Sequence, residues 1–88
     1  MAVDAAEIET ALQAALAPTA LQVRDDSHLH AGHAGAREER HFSVRLVSER
    51  FNGLSRIARH RLVYDALHTL IPQGIHALAI DARAPGET

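Results

Sequence analysis

The chain has 88 residues, three of them aromatic, and a formal net charge of −2 with its histidines neutral. A domain of this size hides roughly 60–65% of its unfolded surface, so the core is thin and a deep cofactor cavity is not expected. The charge balance excludes a uniformly basic nucleic-acid-binding protein. With no cysteine, a disulfide framework and a thiolate site are excluded as well.

The first residues, MAVDAAEIET, are acidic and lack the basic and apolar regions of a signal peptide. No apolar run approaches the 18 residues that a membrane-spanning helix needs. The sequence therefore predicts a soluble, cytoplasmic protein.

The first predicted element is a helix. Asp4 is a suitable N-cap, and Ile8, Leu12 and Leu16 recur at helical spacing until Pro18 ends the pattern. The stretch ALQVRDDS then alternates between apolar and polar residues, which predicts a short strand that runs into a polar loop.

The loop contains HLHAGHAGAREERH, residues 28–41, with four histidines in fourteen residues. The stretch HFSVRLVS then predicts a second strand, with Phe42, Val44 and Leu46 on one face and Ser43 and Arg45 on the other. The two strands should form an antiparallel hairpin.

Asn52-Gly53 predicts a turn, and Ser55 is expected to cap a helix from about Arg56 to Ile71. Pro72 and Gly74 end this helix, IHALAI is a final strand, and DARAPGET is a polar tail.

The order is α-β-β-α-β, and a right-handed crossover should make the last two strands parallel. We predict an α+β fold in which two helices cover one face of a three-stranded mixed sheet. The chain is expected to be one domain over residues 1–88, with an ordered core at about 4–83 and a polar C-terminal tail at 84–88.

Two stretches of the chain contain specific sequence motifs in a fixed order. They are HFSVRLVSERFNGLSRIARHRLVYDAL, from His41 to Leu67, and GIHALAIDARAP, from Gly74 to Pro85. Through these motifs, the sequence resembles the BolA family from about Ile8 to Pro85.

The resemblance implies a fold similar to a class II KH domain and a non-enzymatic protein. Members of the family partner with monothiol glutaredoxins of the C-G-F-S type and share with them a two-iron, two-sulfur cluster, to which glutathione supplies a further thiol. Bacterial members are also associated with stress response, cell morphology and transcription regulation. The resemblance therefore implies iron–sulfur cluster trafficking or iron and redox regulation, with no cluster in the isolated protein, which we expect to be a monomer.

The resemblance also implies the metal ligands. The first ligand is His76, the histidine of the I-H-A-L motif, and the second ligand lies in the loop between the first two strands. His30 in DSHLHA matches that position best, with His33 and His28 as alternates. The loop is a few residues longer than in relatives, and the chain ends soon after Pro85, so the usual C-terminal helix is expected to be reduced or missing.

The chemistry of imidazole suits this role, since two histidines on one iron of a two-iron cluster is the Rieske arrangement. A cysteine-free chain can complete such a site only beside a thiolate donor, which explains the need for a partner. Histidine has an ordinary pKa of about 6.5, so acid should loosen the site.

Each of these assignments has a simpler alternative. His76 can be a strand histidine hydrogen-bonded at the sheet edge, and the loop histidines can be solvated, because H-x-H-x-x-H on a glycine-containing loop is a weak zinc signature. The protein can also be a scaffold that binds partners without metal.

Nucleic acid is the other candidate ligand. Arg56, Arg59 and Arg61 cluster at the predicted start of the long helix, where orphan N–H groups favour phosphate. Against this, KH recognition uses a G-x-x-G loop and NGLSR has only Gly53. A solvated arginine face or a protein interface is the simpler interpretation. The sequence has no P-loop and no nucleophile–base pair, so no catalytic activity is predicted.

Overall fold

The structure is a computed structural model that describes residues 3–26 and 40–87. The elements, in chain order, are α1 (Ala5–Leu16), β1 (Ala20–Asp25), β2 (Arg40–Val47), a short 3-10 helix (Glu49–Phe51), α2 (Arg56–Ala66), α3 (Ile71–Gly74) and β3 (Ile75–Arg83). No helix in these ranges is long and apolar enough to cross a membrane.

The three strands form a mixed sheet in the order β1-β2-β3. β1 pairs antiparallel with β2, so that Val23 lies opposite Val44, and β2 pairs parallel with β3, so that Val44 lies opposite Ile80. The predicted α+β architecture is therefore confirmed, and its order is compatible with the class II KH-like arrangement that the resemblance implies.

One face of the sheet carries the core. Phe42, Val44 and Leu46 on β2 are each at most 2% exposed, while the alternating residues Ser43 and Arg45 lie on the other face. Both long helices pack on the apolar face through a shared set of buried side chains: Ile8, Leu12 and Leu16 of α1, with Val63 of α2 and its C-cap residue Leu67. The opposite face of the sheet is not covered by either helix, and this leaves its polar side chains accessible.

Local chemistry sets the starts of both long helices. The Asp4 side chain accepts a hydrogen bond from the Glu7 N–H at 2.9 Å, and the Ser55 side chain accepts one from the Ala58 N–H at 3.1 Å. Gly53 adopts φ 74°, a left-handed conformation that glycine tolerates best, in the turn before α2.

Two element ends differ from the sequence prediction. α2 ends at Ala66 rather than Ile71, and the chain turns through residues 67–70 before the separate short helix α3 begins at Ile71, with Pro72 as its second residue. Pro72 fits there because proline is tolerated in the first turn of a helix. β3 continues to Arg83, three residues beyond the predicted IHALAI strand, because Asp81, Ala82 and Arg83 continue the pairing with β2.

Ser48 is a fully buried polar residue at the junction of three segments. Its hydroxyl donates to the Leu16 carbonyl at 2.7 Å and accepts from the Arg50 N–H at 3.1 Å. We expect Ser48→Ala to lower the free energy of unfolding by about 2–3 kcal/mol, because it leaves a buried helix-end carbonyl unsatisfied and removes a cap. Urea denaturation measures this loss. Ser55→Ala, at an exposed cap, should lower the free energy of unfolding by only about 1 kcal/mol. An equal loss at both positions would contradict the proposal that burial makes Ser48 the more important of the two.

Candidate functional site

The ends of all three strands meet at one end of the sheet. β1 finishes at Asp25, opposite Phe42 near the start of β2, and the Asp26 N–H donates to the His41 carbonyl at 2.7 Å. Arg40, the first residue of β2, pairs with Ile75, the first residue of β3. Asp26 and Arg40, which flank residues 27–39, therefore both lie at the end of the sheet where β3 begins. We call this end, formed by residues 25–26, 40–41 and 75–76, the histidine edge.

His76 lies at a register shift in the histidine edge. Arg40 pairs with Ile75 and His41 pairs with Ala77, so His76 is the additional residue on β3. An extra residue of this kind forms a bulge, a feature that is common beside functional sites because it redirects side chains. The end of β1 and the start of β3 lie at the same end of the sheet, with β2 between them. Pairing of His76 with a loop histidine requires this placement.

The other predicted metal ligands, His30 with its alternates His33 and His28, lie outside the described residues. Which of them is the second ligand therefore stays a prediction. Within residues 3–26 and 40–87, no group of three histidine, cysteine, aspartate or glutamate side chains could hold a metal ion.

Asp26, the residue after β1, anchors the chain directly before residues 27–39, a role that the sequence analysis did not assign. Its carboxylate accepts a hydrogen bond from Arg24 Nε at 2.9 Å and another from the Ser43 hydroxyl. Arg24 and Ser43 lie opposite each other on β1 and β2, so the carboxylate bridges both strands. An acidic residue directly before a long loop was the only local signal, and the cross-strand partner became visible only with the register.

The surface beside this anchor is an open depression of about 380 Å³. It is lined by Asp26, His41 and Ser43 together with apolar atoms of Phe42 and of residues 77–79. The depression therefore extends from Asp26, directly before residues 27–39, to residues 77–79 of β3.

The three arginines predicted to contact nucleic acid differ in their surroundings. Arg56 and Arg61 are exposed and make no ion pair with any described residue. Arg59 is only 14% exposed and donates to the Leu54 carbonyl at 3.0 Å, to the Ala82 carbonyl at 3.2 Å and to the Glu87 carboxylate at 2.9 Å. Arg59 thus connects α2 to β3 and to the last turn of the described chain, and its guanidinium is not presented to a phosphate.

The Arg59–Glu87 pair should make stability depend on pH. The hydrogen bond from Arg59, and then that from the Ala84 N–H, lower the pKa of Glu87 from 4.5 to about 2. The pair therefore stabilises the fold above about pH 4.5, and this contribution is lost as the pH falls towards 2.

We expect Glu87→Gln to lower the melting temperature at pH 7, with a deficit that disappears as the pH falls from 4.5 to 2. Thermal denaturation, monitored by circular dichroism at several pH values, measures the difference in melting temperature between the variant and the wild type. Glu9→Gln is the control, because Glu9 makes no ion pair with a described residue. A deficit that did not change with pH would contradict the ion pair.

The fold and the histidine edge together define a small α+β module whose distinguishing feature is a histidine at the start of its last strand. The BolA-like protein family matches residues 12–87. The chain belongs to the BolA family.

Relatives and solved structures agree on this family. The chain is 44% identical to SufE-like protein 1, chloroplastic/mitochondrial, from Arabidopsis thaliana over 86 residues, 91% of this chain and 23% of that protein. It is 48% identical to human BolA-like protein 1 over 82 residues, 93% of this chain and 58% of that protein. The solved structure of the BolA domain of SufE1 from Arabidopsis thaliana has a TM-score of 0.84 at 42% identity, covering 100% of this chain and 99% of that one. The chain thus spans only part of the length of SufE-like protein 1 and of human BolA-like protein 1.

Proposed function

We propose that this protein is a non-enzymatic partner of a monothiol C-G-F-S glutaredoxin, with which it shares a two-iron, two-sulfur cluster. His76 and one loop histidine, His30 or its alternates His33 and His28, supply the nitrogen ligands, and the glutaredoxin and glutathione supply the thiolates. The role of such a complex is iron–sulfur cluster trafficking or iron, redox and stress regulation in the cytoplasm.

The observation that carries this proposal is the histidine edge. His76 is the second residue of β3, beside the strand ends that bracket residues 27–39, and those residues contain three histidines. A loop of thirteen residues between fixed ends is long enough to approach its own sheet edge. The anchoring of Asp26 by Arg24 and Ser43 fixes one of those ends.

The donor set explains why a partner is needed. Two imidazoles can ligate one iron of such a cluster, and the cluster supplies one-electron redox chemistry or is itself the cargo. The second iron requires thiolates, which a chain without cysteine cannot provide. The isolated protein is therefore proposed to be a cluster-free monomer.

The experiment that tests the proposal is native mass spectrometry of the mixture with a cluster-loaded monothiol glutaredoxin and glutathione. We expect a heterodimer whose mass includes two irons and two sulfides, and no cluster in this protein alone. A heterodimer that forms equally well without iron would instead support a metal-independent scaffold. No heterodimer under anaerobic conditions would contradict the proposal.

A second candidate function is a DNA-binding regulator of stress response and cell morphology. Arg56 and Arg61 are exposed on α2, and Arg56 is its first residue, close to the turn that contains Gly53. Phosphate contacts of this kind are electrostatic, so the logarithm of the affinity should fall linearly with the logarithm of salt concentration, by about 0.9 per neutralised phosphate.

Fluorescence anisotropy with duplex DNA at several salt concentrations tests this candidate. Arg56→Ala and Arg61→Ala should each reduce the salt slope by about one phosphate contact. Arg45→Ala, on the open face of the sheet, is the control. An affinity that is unchanged in both α2 variants would exclude this surface.

A further inference from the structure

The outer edge of β3 forms one wall of a groove at the end of the sheet away from the histidine edge. The groove has a volume of about 660 Å³ and runs between the second half of β3 and the first turns of α2. An unpaired strand edge beside a groove is a surface on which an extended peptide can add another strand. Whether this edge can accept a strand depends on its backbone groups.

Two hydrogen bonds define which backbone groups of β3 face outward. The Arg83 carbonyl accepts a hydrogen bond from the Ser48 N–H at 2.9 Å, on the β2 side of the strand. The Ala82 carbonyl accepts one from Arg59 Nη1 at 3.2 Å, on the opposite side. Because backbone groups alternate in direction along a strand that is paired in parallel, Leu78 and Ile80 point outward like Ala82.

The outward groups of Leu78 and Ile80 are open to an added strand. β3 is the last strand in the order β1-β2-β3, so no further strand of the described chain lies beside it. Among residues 3–26 and 40–87, no hydrogen bond from outside the sheet reaches Leu78 or Ile80. Each of these residues can therefore offer one N–H and one C=O to an extended peptide.

The chain already binds a carboxylate at the neighbouring part of this edge. Glu87 accepts a hydrogen bond from the Ala84 N–H at 3.1 Å and another from Arg59 Nη2 at 2.9 Å. Ala84 follows β3 directly. A carboxylate held between a backbone N–H and a guanidinium is thus an arrangement that this groove already contains.

The remaining charge of the groove is positive. Asp81 lies 2.8 Å from Arg83 Nε and 3.4 Å from Arg45 Nε, and Glu87 is paired with Arg59, so both acids that line the groove are neutralised within the chain. Arg56 and His60 line the same groove and form no ion pair with a described residue. A ligand that carries carboxylates would complement these two side chains.

We propose that the β3 edge binds an extended acidic segment of a partner protein, which adds a fourth strand along Leu78 and Ile80 and places a carboxylate against Arg56. Backbone pairing supplies the affinity, and the cationic wall of α2 selects acidic sequences. This surface requires no metal and no histidine of the loop, so it is independent of the proposed cluster site.

The test titrates the isotope-labelled, metal-free full chain with an acetylated seven-residue peptide of alternating valine and glutamate, followed by nuclear magnetic resonance. The amides of Leu78 and Ile80 should shift, and their hydrogen exchange should slow at least tenfold. Arg56→Ala should weaken binding about two- to fivefold, the size expected for one exposed ion pair, and more salt should reduce that difference. Arg61→Ala is the matched control, because Arg61 is exposed on the same helix but does not line the groove.

The second measurement uses the same peptide with an N-methyl group at every residue, which keeps its charge but removes the backbone donors from both of its edges. We expect this peptide not to bind, and equal affinity would overturn the proposal. A thymidine oligonucleotide that shifts the same amides at lower concentration would overturn it by identifying a nucleic-acid surface. Shifts of these amides when the protein alone is concentrated would overturn it by assigning the edge to a second copy of the chain.

Discussion

Replacing His76 with alanine is expected to abolish the visible circular dichroism of the shared cluster and leave the far-ultraviolet spectrum of the apo protein unchanged. The variant removes the proposed imidazole ligand at the start of β3. His76 is the additional residue at the register shift, so the pairing of Ile75 and Ala77 with β2 does not depend on its side chain. Anaerobic titration against a cluster-loaded monothiol glutaredoxin measures the loss.

One histidine outside the proposed site serves as the control, and the loop histidines test the second ligand. His68→Ala should leave the cluster spectrum unchanged, because His68 is exposed after the end of α2 and its Nδ1 lies 2.8 Å from the Asp65 carbonyl oxygen. Separate alanine variants of His28, His30 and His33 should show one large loss, which we expect at His30. A His76→Ala protein with the full cluster spectrum would remove His76 from the site.

Phe42→Ala is expected to lower the free energy of unfolding by about 3–5 kcal/mol, the usual cost of truncating a buried phenylalanine. Phe42 is 2% exposed on the central strand and lies between the two outer strands, opposite Asp25 and Leu78. Because small domains have about 5–15 kcal/mol of stability in total, the variant should be unfolded in part near physiological temperature. Urea denaturation measures the change.

Ile57→Ala is the matched control for this prediction. Ile57 is a large apolar side chain that is 68% exposed on α2, so its removal should change the free energy of unfolding by no more than about 0.5 kcal/mol. A loss at Phe42 as small as the loss at Ile57 would contradict the assignment of the core to the β2 face.

Much of the fold was predictable because its signals are local. Alternation in HFSVRLVS identified the buried face of β2, and the caps Asp4 and Ser55 identified two helix starts. The end of α2 was not predictable in this way. Leu70 and Ile71 keep helical spacing and pack against the core, although α2 has ended at Ala66 and residues 67–70 form turns.

The strand end at Arg83 and the role of Arg59 required the tertiary structure. Asp81 and Arg83 are charged and resemble a solvated tail, but they pair with each other on the open face of the sheet. Arg59 and Glu87 are separated by 28 residues, so no sequence window contains both. The histidine edge was predictable only in part. His76 was predicted through the family resemblance, whereas its position beside the end of β1 and the start of β2 follows from the register.

The measurement that tests the central proposal most directly is a visible absorption and circular dichroism titration of wild-type protein into anaerobic, cluster-loaded monothiol glutaredoxin with glutathione. A shared cluster predicts a spectral change that saturates at one protein per glutaredoxin and decreases as the pH falls through the range in which histidine is protonated. A spectrum that stays that of the glutaredoxin alone at every ratio would contradict cluster sharing.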